Sequence, residues 1–363
     1  METVELKGKN QNVAIGYPNP VAVNVNLGSN SNDSIDYNKE KEKIYHLKRM
    51  DPSPHLMMDI SLNNSNGYLY ETIIKEIGCP VGFIPHYICR KTSGKIEKNA
   101  LLDEIYRAAE HGIAWFVLHL TPNTYLVDLA IKKRKFPFAS RSAIIEIEDM
   151  MLNNRNRSIY WEVFDEIINI CKKYSIAISL GASFRPGITH YALDEVHLAE
   201  LRQYSEISSI LKSNGVKYFV EGIGHCNVRK IIEFNKIINN LDCPFMPLGP
   251  LFSDDFNNDD HIISAMSFYA GVVLGGKYSV INSITSVEHS GGIPTIEEMT
   301  IGFKMAISCA KLCNNFFGIE DNSRINNHCV NSLGLNCSRC NEICPNNFYY
   351  KYKKQIQQWI SST

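Results

Sequence analysis

The chain has 363 residues, of which 44% are hydrophobic and 21% charged, with a formal net charge of -1. That length suits one large domain or two ordinary ones, and the balanced charge leaves no electrostatic footprint for a nucleic-acid partner. The longest apolar-looking stretch, residues 265–276, is too short to span a bilayer and predicts a buried core helix. The opening METVELKGKN has no apolar signal region, so a cytoplasmic protein with no membrane contact is expected.

Residues 1–20 and 28–40 are rich in Asn, Ser, Gly and Lys and predict an irregular N-terminal segment, 1–55, around one strand at 21–26. From residue 56 short apolar runs alternate with amphipathic ones. Strands are expected at 56–60, 81–85, 114–119, 176–180, 216–221, 244–248 and 278–282. Between them, residues 99–111 predict a helix that stops at Gly112. Tyr160, Val163, Phe164, Ile167, Ile168 and Cys171 form a single apolar face at helical period, with Ser158 as N-cap. Another such face runs from Leu198 to Leu211 and stops near Gly215. The basic run Lys132-Lys133-Arg134-Lys135 solvates a helix end. Repeated strand–helix alternation implies parallel strands with helices outside. The number of units favours an α/β fold with a (β/α)8 TIM-type barrel over residues 56–314.

In such a barrel, reactive groups sit at the C-terminal ends of strands. Asp59, Tyr87, His119, Arg185 and Glu221 fall there, with His289 on a later loop. Glu221-Gly-Ile-Gly-His225 and Glu288-His289 combine two histidines with carboxylates, a set that suits zinc or another borderline metal. Ser140-Arg141-Ser142 and Phe184-Arg185-Pro186-Gly187 combine arginines with hydroxyls and a turn, a set that suits a phosphate. Neither a G-x-G-x-x-G after a strand nor a G-x4-G-K-[ST] loop occurs.

The chain carries eleven cysteines, an odd number scattered over its length, which argues against a disulfide framework. Most of the first eight lie in apolar runs and read as packed small hydrophobes. Cys337, Cys340 and Cys344 differ, because C-x2-C-x3-C places three thiolates in one turn-rich loop. A cubane cluster with four thiolates is fully ligated, whereas three leave one iron open. Zinc competes for the same ligands, with His328 or Cys329 as a fourth. Residues 315–363 are therefore expected to form a small C-terminal iron–sulfur module, with an Asn-rich loop leading into it.

Together these segments resemble the phosphomethylpyrimidine synthase (ThiC-type) radical S-adenosylmethionine family, which includes 5-hydroxybenzimidazole synthase. The resemblance runs from about residue 12 through VNVNLGSN (23–30), MMDIS (57–61), PVGFIPHY (80–87), FVLH (116–119), ASRS (139–142), SLGASFRPG (179–187), VEGIGH (220–225), PFMPLGPL (244–251), Asp260-His261 and EHSGGIP (288–294). It implies a homodimeric barrel enzyme with a C-terminal cluster domain. Such an enzyme acts on 5-aminoimidazole ribotide with S-adenosylmethionine, a [4Fe–4S] cluster, a second divalent metal such as zinc, and a reductant protein such as flavodoxin or ferredoxin. Carried over by position, the ribotide is expected on Asn26, Met58, Tyr87, His119, Ser140, Arg141, Arg185 and Glu221. The metal is expected on His225 and His289, and the cluster on Cys337, Cys340 and Cys344, which with Glu221 make up the catalytic set.

The chain departs from the family at several positions. Ala182-Ser183-Phe184-Arg185 replaces Asp-Gly-Leu-Arg, so a substrate-facing carboxylate is gone. Ser142 replaces a Gly, Ile223 a Pro and Met246 a Tyr, the last cysteine spacing is one residue short, and a Trp-Glu-Asp-Gln stretch is missing after Asp321-Asn322. Losing a buried carboxylate partner costs ~1–3 kcal/mol, enough to change substrate or product preference. The expected activity is therefore radical rearrangement of a ribotide into a 5-hydroxybenzimidazole-like or other non-thiamin heterocycle. The alternatives are thiamin-pathway phosphomethylpyrimidine synthase and a non-catalytic ribotide-binding or partner paralogue.

Overall fold

The structure is a computed structural model that describes residues 2–319, 328–331, 337, 339–340 and 343–362. The chain divides into two compact units, Met1–Ile319 and Glu320–Thr363.

The first unit opens with an antiparallel pair, β1 (Val4–Lys7) and β2 (Asn12–Ile15), whose Val4, Leu6 and Ile15 are buried. Eight parallel strands follow: β3 (Ala22–Leu27), β4 (Leu56–Asp59), β5 (Val81–Phe83), β6 (Trp115–Leu118), β7 (Ala177–Leu180), β8 (Tyr218–His225), β9 (Phe245–Leu251) and β10 (Val280–Asn282). Each pairs with the next, and β10 returns to lie beside β3. A parallel bridge between Phe245 and Tyr278, with Ser279 N–H donating to the Phe245 carbonyl at 2.9 Å, draws β9 towards β10 and all but closes the sheet. This is the TIM-like architecture that the strand spacing predicts.

The sheet also takes in β3, which the sequence reading assigns to an irregular N-terminal segment. The strand expected at 21–26 is present, and its Val-Asn alternation is a strand period, but it belongs to the barrel sheet. Asn24 is fully buried, and its amide donates to Asn26 Oδ1 at 2.7 Å and Asn282 Oδ1 at 2.8 Å. The second of these bonds ties the first and last of the eight strands together.

Helices stop where expected. Lys98–Glu110 ends before Gly112 at φ +88, and Glu195–Ser213 before Gly215 at φ +70, both in the left-handed region that favours glycine. Ser158 does act as an N-cap, but of a 3-10 turn, Ile159–Glu162, and the α-helix restarts at Phe164–Tyr174. Tertiary bonds account for the break. Trp161 Nε1 donates to the Leu120 carbonyl at 2.8 Å, and the Tyr160 hydroxyl lies 2.9 Å from His86 Nδ1. The expected core helix at 265–276 is instead amphipathic. It spans Asp260–Val273, buries Phe268 and Val272, and exposes Met266. Among the described residues no helix is long and apolar enough to cross a membrane. In the second unit, Pro345–Ser362 forms a helix and His328–Asn331 a short one. The stretch after Asp321-Asn322 and most of the predicted Asn-rich loop lie outside the described residues.

Glu146, on helix Arg141–Leu152, is wholly buried, and its closest ionic partner, His86 Nδ1, stands 3.6 Å away. Burial pushes the Glu146 carboxyl up to about 8 and holds His86 down to about 3, so the pair is neutral at pH 7. The folded chain thus holds the Glu146 proton more tightly than the unfolded chain does. That contribution is present at low pH and is lost as pH rises through about 8. Glu146→Gln is expected to match wild type in urea denaturation at pH 5 and to exceed it by a few kcal/mol at pH 9. Equal stability of the two proteins at pH 9 would refute this.

Candidate active site

A cavity of about 580 Å³ is lined by residues from the C-terminal ends of the strands and from the loops that follow them. Asn26 and Met58 reach it from β3 and β4, and Tyr87 from the short helix Pro85–Cys89 after β5. His119 follows β6, Arg185 follows β7, Glu221 and His225 lie on β8, and His289 follows β10. Ser140 and Arg141 line it from the start of helix Arg141–Leu152. Every ribotide and metal position carried over from the family resemblance therefore borders one space.

Asp59 does not line it. Its Oδ1 accepts from the backbone N–H and the hydroxyl of Ser61, at 3.0 and 2.6 Å, and its Oδ2 accepts from Tyr70 N–H at 3.0 Å. Its carboxylate is spent on the β4 loop and the next helix, so it is a structural cap.

One wall is cationic. Arg141 donates to Asn30 Oδ1 at 3.1 Å and to Tyr87 Oη at 3.4 Å, with its guanidinium 5.0 Å from the Tyr87 ring centre. Arg185 donates to the carbonyls of Ala182 (3.0 Å) and Ala139 (3.4 Å). Neither forms an ion pair among the described residues. Ser140 caps the helix, accepting from Ala143 N–H at 3.3 Å, so the positive end of that helix lies beside both arginines. Ser142 donates to Tyr87 Oη at 2.7 Å and fixes the phenol that Arg141 covers.

His119 lies within 2.8 Å of Ser183 Oγ, and its ring stands edge-on to His86. Burial, reinforced by the positive charge of Arg185, keeps it neutral. Ser183 is held in turn by Glu200, a fully buried carboxylate that accepts from the N–H groups of Ser183 (2.8 Å) and Phe184 (2.9 Å) and from Thr121 Oγ1 (2.7 Å). Neither Ser183 nor Glu200 is marked as a site residue by the sequence, where Glu200 lies within an ordinary helical face.

Glu221 accepts from Ser179 Oγ at 2.8 Å. Burial raises its carboxyl to about 7, against the lowering effects of Ser179 and Arg185. The ionised form gains an acceptor for a ligand hydroxyl, and the protonated form loses it. Affinity for a hydroxyl-bearing anion is expected to rise with pH through about 7, and Glu221→Gln to remove that step. Calorimetric titrations from pH 5.5 to 8.5 check this, since a step that survives in the variant belongs to another group.

The two predicted metal histidines face each other, with ring centres 5.3 Å apart and planes at 82°. His225 Nδ1 lies 2.8 Å from Asp254 Oδ1, and His289 Nδ1 pairs with Asp260. Burial holds the His225 pKa below its ordinary value. Among the described residues no three His, Cys, Asp or Glu groups converge as a ready metal site. In the second unit Cys337 and Cys340 are half-buried and Cys344 is buried, all as free thiols, immediately ahead of helix Pro345–Ser362. By donor chemistry this trio suits iron–sulfur ligation, and the histidine pair suits a divalent ion. Of the two fourth-ligand candidates, Cys329 is exposed, and the His328 side chain lies outside what the structure describes.

A family model described as the radical SAM ThiC family matches residues 3–346. A phosphomethylpyrimidine synthase from Carboxydothermus hydrogenoformans is 29% identical over 269 residues, covering 70% of this chain and 62% of that protein. The chain thus spans under two thirds of that relative's length. Among solved structures, dihydropteroate synthases from Xanthomonas albilineans and Coxiella burnetii align at 8% and 11% identity with TM-scores of 0.46 and 0.45. They cover 88% and 87% of this chain, and 99% and 100% of their own.

Proposed function

The chain belongs to the radical SAM ThiC family, and on that premise we propose that it is a radical S-adenosylmethionine carbon–carbon lyase that rearranges 5-aminoimidazole ribotide, or a similar ribotide, into an aromatic heterocycle. The observation that carries this reading is a single cavity in which two arginines without carboxylate partners adjoin a buried acceptor, Glu221, and a neutral histidine, His119. A phosphate needs the first pair, and ribose hydroxyls suit the second.

In this proposal Arg141, Arg185 and the capped helix start bind the phosphate. Glu221 accepts from ribose hydroxyls, His119 hydrogen-bonds the ligand as a neutral ring, and Asn26, Met58 and Tyr87 complete the walls. Cys337, Cys340 and Cys344 would hold a [4Fe–4S] cluster, and His225 with His289 a divalent ion such as zinc. Such a cluster, when bound, supplies the electron that cleaves S-adenosylmethionine to a 5′-deoxyadenosyl radical able to abstract hydrogen. A reduced flavodoxin or ferredoxin is the proposed donor, and a homodimer the proposed assembly.

Two products remain in contention, each with its own support. Similarity to a phosphomethylpyrimidine synthase favours the thiamin pyrimidine. The buried Ala182, beside a Ser183 committed to His119, favours a different heterocycle, because no carboxylate stands at that position. Anaerobic turnover of cluster-loaded protein with 5-aminoimidazole ribotide, read by mass spectrometry, separates the two. Absence of 5′-deoxyadenosine from protein shown to contain iron and sulfide would sink the radical reading and leave a non-catalytic relative.

A further inference from the structure

We infer that Asp254, Phe256 and Asp260 form a positioning segment that holds His225 and His289 as a matched pair of ε-nitrogen ligands for one divalent cation. The inference rests on the proposal that these two histidines carry a metal, and it assigns the residues that make them able to.

A carboxylate can only accept hydrogen bonds, so a histidine nitrogen paired with one carries the proton. Asp254 therefore fixes the proton of His225 on Nδ1, and Asp260 does the same for His289. In both rings the Nε2 lone pair is left free for a metal, the arrangement in which outer carboxylates orient histidine ligands and raise their basicity. Asp254 is itself anchored by Thr189, whose N–H lies 2.9 and 3.0 Å from the two carboxylate oxygens and whose hydroxyl donates at 2.7 Å.

Asp260 is fully buried at the first turn of helix Asp260–Val273, and its Oδ2 has no hydrogen-bond partner. A buried carboxylate with an unfilled acceptor is costly unless positive charge stands near. A cation on His289 supplies that charge through the ring.

Phe256 restricts both rings. It stacks on His289 with centres 4.4 Å apart and planes at 15°, and it meets His225 edge-on at 5.6 Å. The turn that returns the chain from Phe256 to Asp260 passes through Asn257 and Asn258 at φ 41 and 65, conformations that asparagine tolerates. One short segment thus reaches both rings.

The ring separation fits this assignment. An ion ~2.0–2.1 Å from each Nε2 lies about 3.2 Å from each ring centre, and a tetrahedral angle then sets the centres roughly 5.2 Å apart. The observed separation is 5.3 Å.

The test is titration of Zn²⁺ and Co²⁺ into the full chain against a chromophoric chelator. Cys337, Cys340 and Cys344 are replaced by alanine in every sample so that thiolates do not compete. Asp254→Asn and Asp260→Asn are each expected to weaken binding about 10–100-fold and to shift the Co²⁺ visible bands, with the melting temperature recorded alongside. Glu146→Gln, a buried carboxylate far from this segment in sequence, should leave the affinity unchanged. Wild-type affinity in both Asp variants overturns the inference, while leaving the histidine site standing. Binding that also survives His225→Ala and His289→Ala overturns the histidine site and the inference together. Should Asp260→Asn fail to fold, Asp254→Asn decides alone, because its side chain is 38% exposed and tolerates exchange.

Discussion

Alanine at Cys337, Cys340 or Cys344 is expected to abolish 5′-deoxyadenosine formation and to remove most bound iron and sulfide. Three thiolates are the fewest that hold a cubane with one open iron, so loss of any one leaves two, and the cluster loses its anchorage. Cys344 directly precedes helix Pro345–Ser362, and its carbonyl accepts from Phe348 N–H at 2.9 Å in the first helical turn. The control comes from the other cysteines. Burial pushes the thiols of Cys79, Cys171, Cys226 and Cys243 up to about 12, which keeps them protonated and inert. Cys171→Ala should therefore keep full iron content and activity. Iron and sulfide analysis of anaerobically reconstituted variants gives the answer. Full cluster content in Cys344→Ala, or bound zinc without sulfide in the wild type, would refute the assignment.

The double substitution Arg141→Ala with Arg185→Ala is expected to weaken ribotide binding by about 10²–10⁴-fold. Hydrogen bonds to charged groups contribute about 1.5–3 kcal/mol each, or roughly 10–150-fold per arginine. Both guanidiniums already touch only carbonyl, amide or phenol oxygens, so a phosphate displaces no resident carboxylate. The effect should be specific to the phosphate. The dephosphorylated riboside should bind wild type weakly and lose little more in the variant. Arg185→Lys should recover only part of the loss, because an ammonium cannot reproduce the planar fork. Equilibrium binding at two ionic strengths distinguishes a site contact from a diffuse field. A double variant that binds ribotide as wild type does would remove the phosphate assignment.

The eight-fold alternation was legible in the chain because each strand is a short apolar run bounded by turn residues, and each long helix carries its own stop. Gly112 and Gly215 mark two such stops by local backbone preference alone. A local pattern is not enough where its partner is non-local. The strand at 21–26 is legible, but its place in the barrel shows only where Asn282, more than 250 residues later, accepts from the Asn24 amide. The helix through Tyr160 looks continuous until Leu120 and His86 claim the side chains of its first turn.

The same division runs through the candidate site. Asp59 and Glu221 are both carboxylates at strand ends, and by position along a strand they are equivalent. Neighbours brought in by folding separate them: Ser61 and Tyr70 consume Asp59, while Ser179 occupies one oxygen of Glu221 and leaves it facing the cavity. His225 and His289 are legible by residue type and motif, but which carboxylate holds each ring is not, since Asp254 and Asp260 each lie 29 residues from the ring they hold. By itself, then, the sequence determined the periodicity, the caps and which side chains are chemically able to act. Those depend on covalent identity and near-neighbour spacing. Only the tertiary structure decided which of those side chains are consumed by structural bonds and which remain free to meet a ligand, because hydrogen-bond partners and burial are set by segments far apart in the chain.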